Sequence, residues 1–327
     1  MTALRIGILG CGNFSKFHVA NLLNMRDVVI AGLADPRPEG IANLRALYPA
    51  LADTPAFDTL DAMLDGVAVD GVEIFTPHTL HAVHILGCLS RGVHVLVEKP
   101  MVTTPEAGEQ VVAQAEASGR VVLVSYQRHY QPAYLYIKSA IQRGAIGDIT
   151  MVSAVQGQNW RKNTVGTWRQ DESLSGGGML MDTGSHLVDV ITWLVDQPVA
   201  WVNGTIDNDG APVDVNSALT IGFSAGTVAS LTVIGNMPYV TTHVFEDVTI
   251  SGTQGALLYR NGRVYTLGSE GFTEPVSLPS GSTPDRNWVD AILGRAPNAS
   301  PPVVGLRVAQ LTAAARQSSR LNQTVTV

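Results

Sequence analysis

At 327 residues the chain is long enough for about two domains and for cores that need no disulfide or metal staple. Apolar residues at 45%, charged residues at 15% and a net charge of −7 without a basic block exclude disorder and a nucleic-acid footprint. Two cysteines, Cys11 and Cys88, exclude a disulfide framework and a four-thiolate zinc site, and no apolar run approaches the ~20 residues that span a bilayer.

Strand-like runs are predicted at Leu4–Leu9, Val28–Leu33, Gly71–Phe75, His94–Val97 and Val121–Ser125. Helical patterns fall between them, near Phe14–Asn24, Pro38–Leu47, Thr59–Leu64, Leu80–Ser90 and Pro105–Ala117. This alternation predicts crossover connections and a parallel sheet covered on both faces. The short apolar stretch Ile6–Leu9 runs into a glycine turn rather than a cleavage site, so no signal peptide is read and a cytoplasmic setting is expected. Further on, a helix is expected over Pro132–Gln142, a strand over Ile149–Gln156, and a helix opened by Gly176-Gly177-Gly178 that runs to Val195. From Val199 to Leu278 strands follow one another without helices, which predicts a mostly antiparallel sheet. Asn261-Gly262 reads as a hairpin turn. Two short helices, near Asp285–Leu293 and Gly305–Leu321, close the chain.

The segment Gly10-Cys11-Gly12-Asn13-Phe14-Ser15 follows a strand and opens a helix. In that context Gly10 permits a sharp turn and Gly12 lets a pyrophosphate approach the backbone. The helix start then offers free N–H groups and its positive dipole end. Gly10, Gly12, Asn13 and Phe14 are therefore candidate cofactor contacts. Ser15 stands where glycine or alanine is usual, which would hold the helix farther from the sheet. Asp35 ends the second strand 23 residues after Gly12, near the ~20 expected of an acid that binds a ribose. Its charge would repel a 2′-phosphate, so NAD is favoured over NADP. Arg37 cuts the other way: it would cover an adenine ring or hold that phosphate. Cys11 reads as a small packed residue or as a sensor of cofactor occupancy.

Thr76 and Glu98-Lys99 end two strands, where ligands bind an open α/β sheet, and His81 starts the next helix. His78, His81 and His84 drift by about 60° per step along a helix and do not converge on a metal. In the second half, Gly176 to Asp189 carries Asp182 and His186 four residues apart, which predicts one helix face. Asp189 would support the His186 ring or face solvent.

Together, the glycine turn, Glu98-Lys99-Pro100 and the Gly176–Asp189 stretch resemble the glucose–fructose oxidoreductase/inositol dehydrogenase (Gfo/Idh/MocA) family. The motifs occur in family order and cover nearly the whole chain. The resemblance implies an α/β chain with a Rossmann domain over residues 1–122. It implies a second α+β domain over residues 123–327, built on a large open, mostly antiparallel sheet, for substrate binding and oligomerisation. It implies NAD(P)-dependent oxidation of a secondary alcohol of a sugar, glycoside or cyclic polyol, or reduction of the matching ketone, by a homodimer or homotetramer. Lys99, Asp182 and His186 map onto the family's catalytic set, and Gln127 and Arg128 onto a segment facing cofactor or substrate, with a packing segment where the domains join as the other reading of the latter two.

The residue chemistry fits this resemblance. Histidine titrates near neutrality, so His186 suits a general base. Lys99 suits a developing alkoxide, and Asp182 suits substrate hydroxyls. Asn159, Trp160 and Trp168 form a polar, aromatic loop that would stack on and bond a sugar; core anchoring and a subunit contact are the other readings. Two other functions stay open: an NAD-dependent glycosidase or eliminating enzyme with transient oxidation, and a non-enzymatic nucleotide sensor.

Overall fold

The computed structural model describes residues 3–238 and 245–327. They form two compact units. The first begins with β1 (Leu4–Leu9), α1 (Ser15–Leu23), β2 (Val28–Ala34), α2 (Pro38–Leu47), β3 (Ala56–Phe57) and α3 (Leu60–Gly66). It continues through β4 (Gly71–Ile74), α4 (His81–Ser90), β5 (His94–Val97), α5 (Pro105–Ser118) and β6 (Val122–Val124). Thr59 caps α3 by accepting the Ala62 N–H, and Pro38 pre-sets the first turn of α2. The strands lie in the order β3-β2-β1-β4-β5-β6, and every pairing is parallel. Their near-continuous apolar character matches a sheet buried on both faces. Strand order reverses between β1 and β4, and the crevice outside their carboxyl ends is where such sheets bind ligands.

The second unit carries α6 (Pro132–Gln142), β7 (Ile149–Gly157), α7 (Trp160–Asn163), α8 (Glu172–Ser175) and α9 (Ser185–Val195). Seven strands follow: β8 (Val199–Asp207), β9 (Asn216–Phe223), β10 (Val228–Ile234), β11 (Phe245–Gly252), β12 (Ala256–Arg260), β13 (Arg263–Gly268) and β14 (Gly271–Thr273). After them the chain passes through α10 (Pro284–Ile292), which belongs to the first unit, and ends in α11 (Pro302–Leu321) and β15 (Val325–Thr326). The nine-stranded sheet runs β14-β13-β12-β11-β7-β10-β9-β8-β15, antiparallel except for the β7–β10 pair. Along β10, Ala229, Leu231 and Val233 are buried while Ser230 and Thr232 are only half-buried, the alternation of a sheet with one face on a core. The β12–β13 hairpin turns on Asn261 (φ 46°) and Gly262 (φ 88°), both left-handed as a two-residue turn requires. Among the described residues no helix is long and apolar enough to cross a membrane.

The helix expected to open at Gly176 begins only at Ser185. The glycines form a tight approach instead. Asp214 accepts the Gly178 N–H at 2.7 Å and the Leu180 N–H at 2.8 Å, and its own carbonyl accepts the Met179 N–H at 2.8 Å. A Cβ on Gly178 would lie 1.9 Å from that carbonyl oxygen. Asp182 therefore sits in a turn before α9, and His186 lies within the helix.

Residues 282–303, which contain α10, belong to the first unit, and that unit's own stretch of chain runs on past β6 to Tyr126 rather than ending at residue 122. Trp288 is fully buried, and a Cβ on Gly71 would come within 2.6 Å of it. Ser300 accepts the Val124 N–H at 2.9 Å, so the returning chain runs along β6. Deeper in the unit, His18 Nδ1 meets Asp285 Oδ1 at 2.7 Å and Nε2 meets Glu98 Oε1 at 3.1 Å. Burial alone would drive the His18 proton off. The bonds to Asp285 and Glu98 overcome this and hold its pKa well above 6.5. Glu73, also fully buried, lies beside Asp285. Burial first, then the Asp285 charge, pushes its pKa well above 4.5, so it is a neutral acid.

Two substitutions check this packing. Gly178→Ala should cost soluble yield or lower Tm by more than about 5 °C. Gly12→Ala, whose Cβ would meet nothing within 4 Å, should melt like the parent. A parental melting curve for Gly178→Ala would refute the close approach to Asp214. For Glu73 the folded pKa lies above the unfolded one, so the parent loses stability as pH rises past 4.5. Glu73→Gln should gain on the parent by up to about 1.4 kcal/mol per pH unit from there, read as urea midpoints at pH near 4 and near 8. A difference equal at both pH values would rule out a buried neutral acid.

Candidate functional site

The glycine turn joins β1 to α1. Gly10 has φ 90°, a conformation only glycine adopts without strain, and a Cβ there would lie 2.8 Å from the Phe75 carbonyl carbon. The turn thus touches the end of β4, at the point of reversed strand order. Gly12 has open space where a Cβ would stand. Ser15 is buried and donates to the Gly12 carbonyl at 2.8 Å, so its hydroxyl is absorbed by the turn itself. Asn13 accepts from Lys16 at 3.0 Å, and Phe14 is 44% exposed. Asp35 is buried; one oxygen accepts the Cys11 N–H at 2.8 Å and the other the Arg37 N–H at 2.9 Å. The acid expected at a ribose is therefore fixed to the glycine turn by its own backbone bonds. The Arg37 side chain is mostly exposed, with Nε 3.5 Å from Asp35. Burial, then the Asp35 charge, raises the Cys11 thiol to about 12, as befits a small packed thiol.

Beyond β4, the Thr76 hydroxyl meets His84 Nδ1 at 3.0 Å. Burial first, then His81, lowers the His84 pKa to about 4. His81, expected at the cofactor, has Nδ1 2.8 Å from the Pro100 carbonyl oxygen and Nε2 2.8 Å from the Thr76 carbonyl oxygen. Its ring is engaged by backbone. Glu98, also expected at the cofactor, is engaged by His18. Burial would raise its pKa, but His18 and the Lys99 charge hold it below 4.5. Lys99 follows on the end of β5, is 6% exposed, and precedes a cis peptide to Pro100.

In the second unit, Asp182 is buried. Its Oδ2 accepts the Trp160 indole N–H at 2.8 Å and the Arg169 Nε–H at 3.0 Å. The Arg169 guanidinium lies 4.5 Å over the Trp168 ring. Trp160, Trp168 and Asp182 are thus brought together, and Arg169 of the same polar loop joins them through its bond to Asp182. Asn159 is half-buried, and its carbonyl accepts the Asn163 N–H. His186 is 8% exposed in the first turn of α9. Asp189 neither supports the His186 ring nor faces solvent: it is fully buried and pairs with His129 at 3.0 Å.

Gln127 opens a short 3₁₀ turn, Gln127–Tyr130, and is half-buried. Arg128, expected to face cofactor or substrate, is committed to Glu246 through Nε, at 3.2 and 3.1 Å, and through Nη2. Glu246 also accepts from Tyr134 and from Gln156. No local feature announces Glu246, which stands 118 residues from Arg128.

Residues 4–126 match the model of an oxidoreductase family with an NAD-binding Rossmann fold, and residues 134–258 match the GFO/IDH/MocA C-terminal domain. The chain is 30% identical over 198 residues to scyllo-inositol 2-dehydrogenase (NADP(+)) IolW of Bacillus subtilis, a match spanning 60% of this chain but only 53% of that one. It is 26% identical over 301 residues to levoglucosan dehydrogenase of Pseudarthrobacter phenanthrenivorans, spanning 80% of this chain and 75% of that one. The fold superimposes on an aldose-aldose oxidoreductase from Caulobacter crescentus with a TM-score of 0.87 at 21% identity, over 99% of this chain and 100% of that one. With both of its units matched in order, the chain belongs to the Gfo/Idh/MocA family of oxidoreductases with an NAD-binding Rossmann domain.

Proposed function

We propose that this protein oxidises a secondary alcohol of a sugar, glycoside or cyclic polyol with NAD, or reduces the matching ketone. The observation that carries the reading is a buried Lys99 at the end of β5, the strand next to β4, whose own end the glycine turn touches. The residues fit that cofactor. Gly12 leaves room for a pyrophosphate, the start of α1 offers N–H groups to it, and Asp35 stands at the end of β2 for the ribose hydroxyls. A bound nicotinamide supplies the acceptor for the hydride leaving the carbinol carbon.

The protein must then manage the hydroxyl proton and charge. His186 takes the proton as general base. The Lys99 ammonium donates to the reacting oxygen and stabilises the negative charge that develops there. Asp182, oriented by Trp160 and Arg169, receives substrate hydroxyls, and Trp168 offers a ring face to the apolar side of a sugar. The Asp35 carboxylate disfavours a 2′-phosphate, so NAD is preferred. A homodimer or homotetramer in the cytoplasm completes the reading.

Reduced-nicotinamide absorbance with cyclic polyols, aldoses and glycosides, run with NAD and with NADP, tests it. NADH formed from one substrate class is the expected result. A glycoside cleaved without NADH accumulation would favour the internal redox cycle, and tight NAD binding with no turnover would favour a sensor. Lys99→Met and His186→Ala should each cut turnover by about a hundredfold or more while NAD binding changes little. Unchanged turnover in both would refute these roles. Asp35→Asn keeps the acceptor for Cys11 and removes the charge; it should shift preference toward NADP by about tenfold, equivalent to ~1.4 kcal/mol. An unchanged ratio would show that Asp35 does not select the cofactor.

A further inference from the structure

We propose that two buried histidines, His18 and His81, are positioning residues for Lys99, gripping the residue on either side of it. The proposal rests on the reading that Lys99 serves the reaction. On one side, the Lys99 N–H donates to Glu98 Oε2 at 3.2 Å, and Glu98 Oε1 is bonded to His18. His18 is itself anchored by Asp285, whose other oxygen accepts from Asn21 at 2.8 Å. On the other side, the carbonyl of Pro100 is held by His81, whose far nitrogen reaches the Thr76 carbonyl.

Both histidines sit in helices that leave the sheet at its ligand-binding end, His18 in α1 after the glycine turn and His81 at the start of α4. The lysine is therefore tied to the turn that would hold the pyrophosphate and to the strand end that carries Thr76. A metal at this place would compete with what is there. His18, Glu73 and Asp285 bring ligand-type atoms within 4.8 Å of one another, but both His18 nitrogens already face carboxylates. The imidazolium supplies the positive charge that a cation would bring. His81 differs from His18 in its acceptors. A carbonyl oxygen only accepts, so each of its two bonds needs a ring N–H. The imidazolium makes both and the neutral ring makes one.

The chain has four lysines, Lys16, Lys99, Lys138 and Lys162, so the placement of Lys99 is open to direct observation. Reductive methylation with ¹³C-formaldehyde labels the amines, and loss of one NMR signal in Lys99→Met assigns Lys99. In the full-length parent the Lys99 signal should stand apart from that of the exposed Lys162. Glu98→Gln removes the charge that holds His18, and His81→Phe keeps the ring volume without N–H donors. In each, the Lys99 signal should move toward the exposed position, and kcat should fall by about tenfold or more while the Kd for NADH stays within about threefold. His81→Gln, which keeps one donor, should recover part of the loss and stands in if the phenylalanine variant fails to fold. An unmoved Lys99 signal in Glu98→Gln and in the His81 variants overturns the proposal. A moved signal with full turnover in Lys99→Met leaves the positioning intact and removes the catalytic reading instead.

Discussion

One buried cation governs the first unit. Taking an imidazolium out of water costs several kcal/mol unless anions hydrogen-bond it inside. His18 meets that demand with Glu98 and Asp285, and each comes from a different stretch of chain. Satisfying the two N–H groups of one imidazolium thus fixes α1 to the end of β5 and draws α10 back across 267 residues. Trp288, three residues beyond Asp285, then fills the space that Gly71 leaves without a side chain. The nucleotide-binding unit is completed by the far end of the chain because its core charge is balanced there.

The second unit treats its buried carboxylates in the same way, with convergent donors rather than with cations alone. Glu246 gathers Arg128, Tyr134 and Gln156; Asp214 gathers the N–H groups of Gly178 and Leu180; Asp182 gathers Trp160 and Arg169. Buried acids that lack such partners are costly, so these networks are strong constraints on side-chain position. For Asp182 the constraint would serve the substrate role proposed for it. A carboxylate already oriented by an indole and a guanidinium loses little freedom when a hydroxyl arrives.

The features that the sequence discloses are those decided by neighbours. Alternating and continuous apolar runs locate the strands, Asn261-Gly262 locates a hairpin, and the strand–glycine–helix passage locates the dinucleotide turn. The features it hides are partnerships across long separations. Arg128 reads as a ligand-facing cation because nothing near it reveals Glu246, and Glu98 reads as a cofactor contact because His18 lies 80 residues away. The glycine run reads as a helix start because Asp214, whose oxygens hold it, follows 36 residues later. Asp189 likewise turns away from His186 to His129, 60 residues back.

Histidine recurs at these junctions because its two nitrogens point away from each other and bridge two segments, where a hydroxyl or an amide grips one side. Which acceptors lie at the two ends then decides its charge. His18 and His81 are buried alike, at 4% and 1% exposure, so desolvation opposes a proton on both. Two carboxylates overcome that opposition at His18 and hold it charged. At His81 burial prevails over the carbonyls of Pro100 and Thr76, aided by the Lys99 charge against that of Glu98, and its pKa falls below 6.5. A backbone carbonyl carries only a partial charge, so it cannot repay the desolvation that a carboxylate repays. The two sides of Lys99 are thus held by bonds of unequal kind: an ion pair through Glu98, and a dipolar clasp at Pro100 whose second bond depends on a proton.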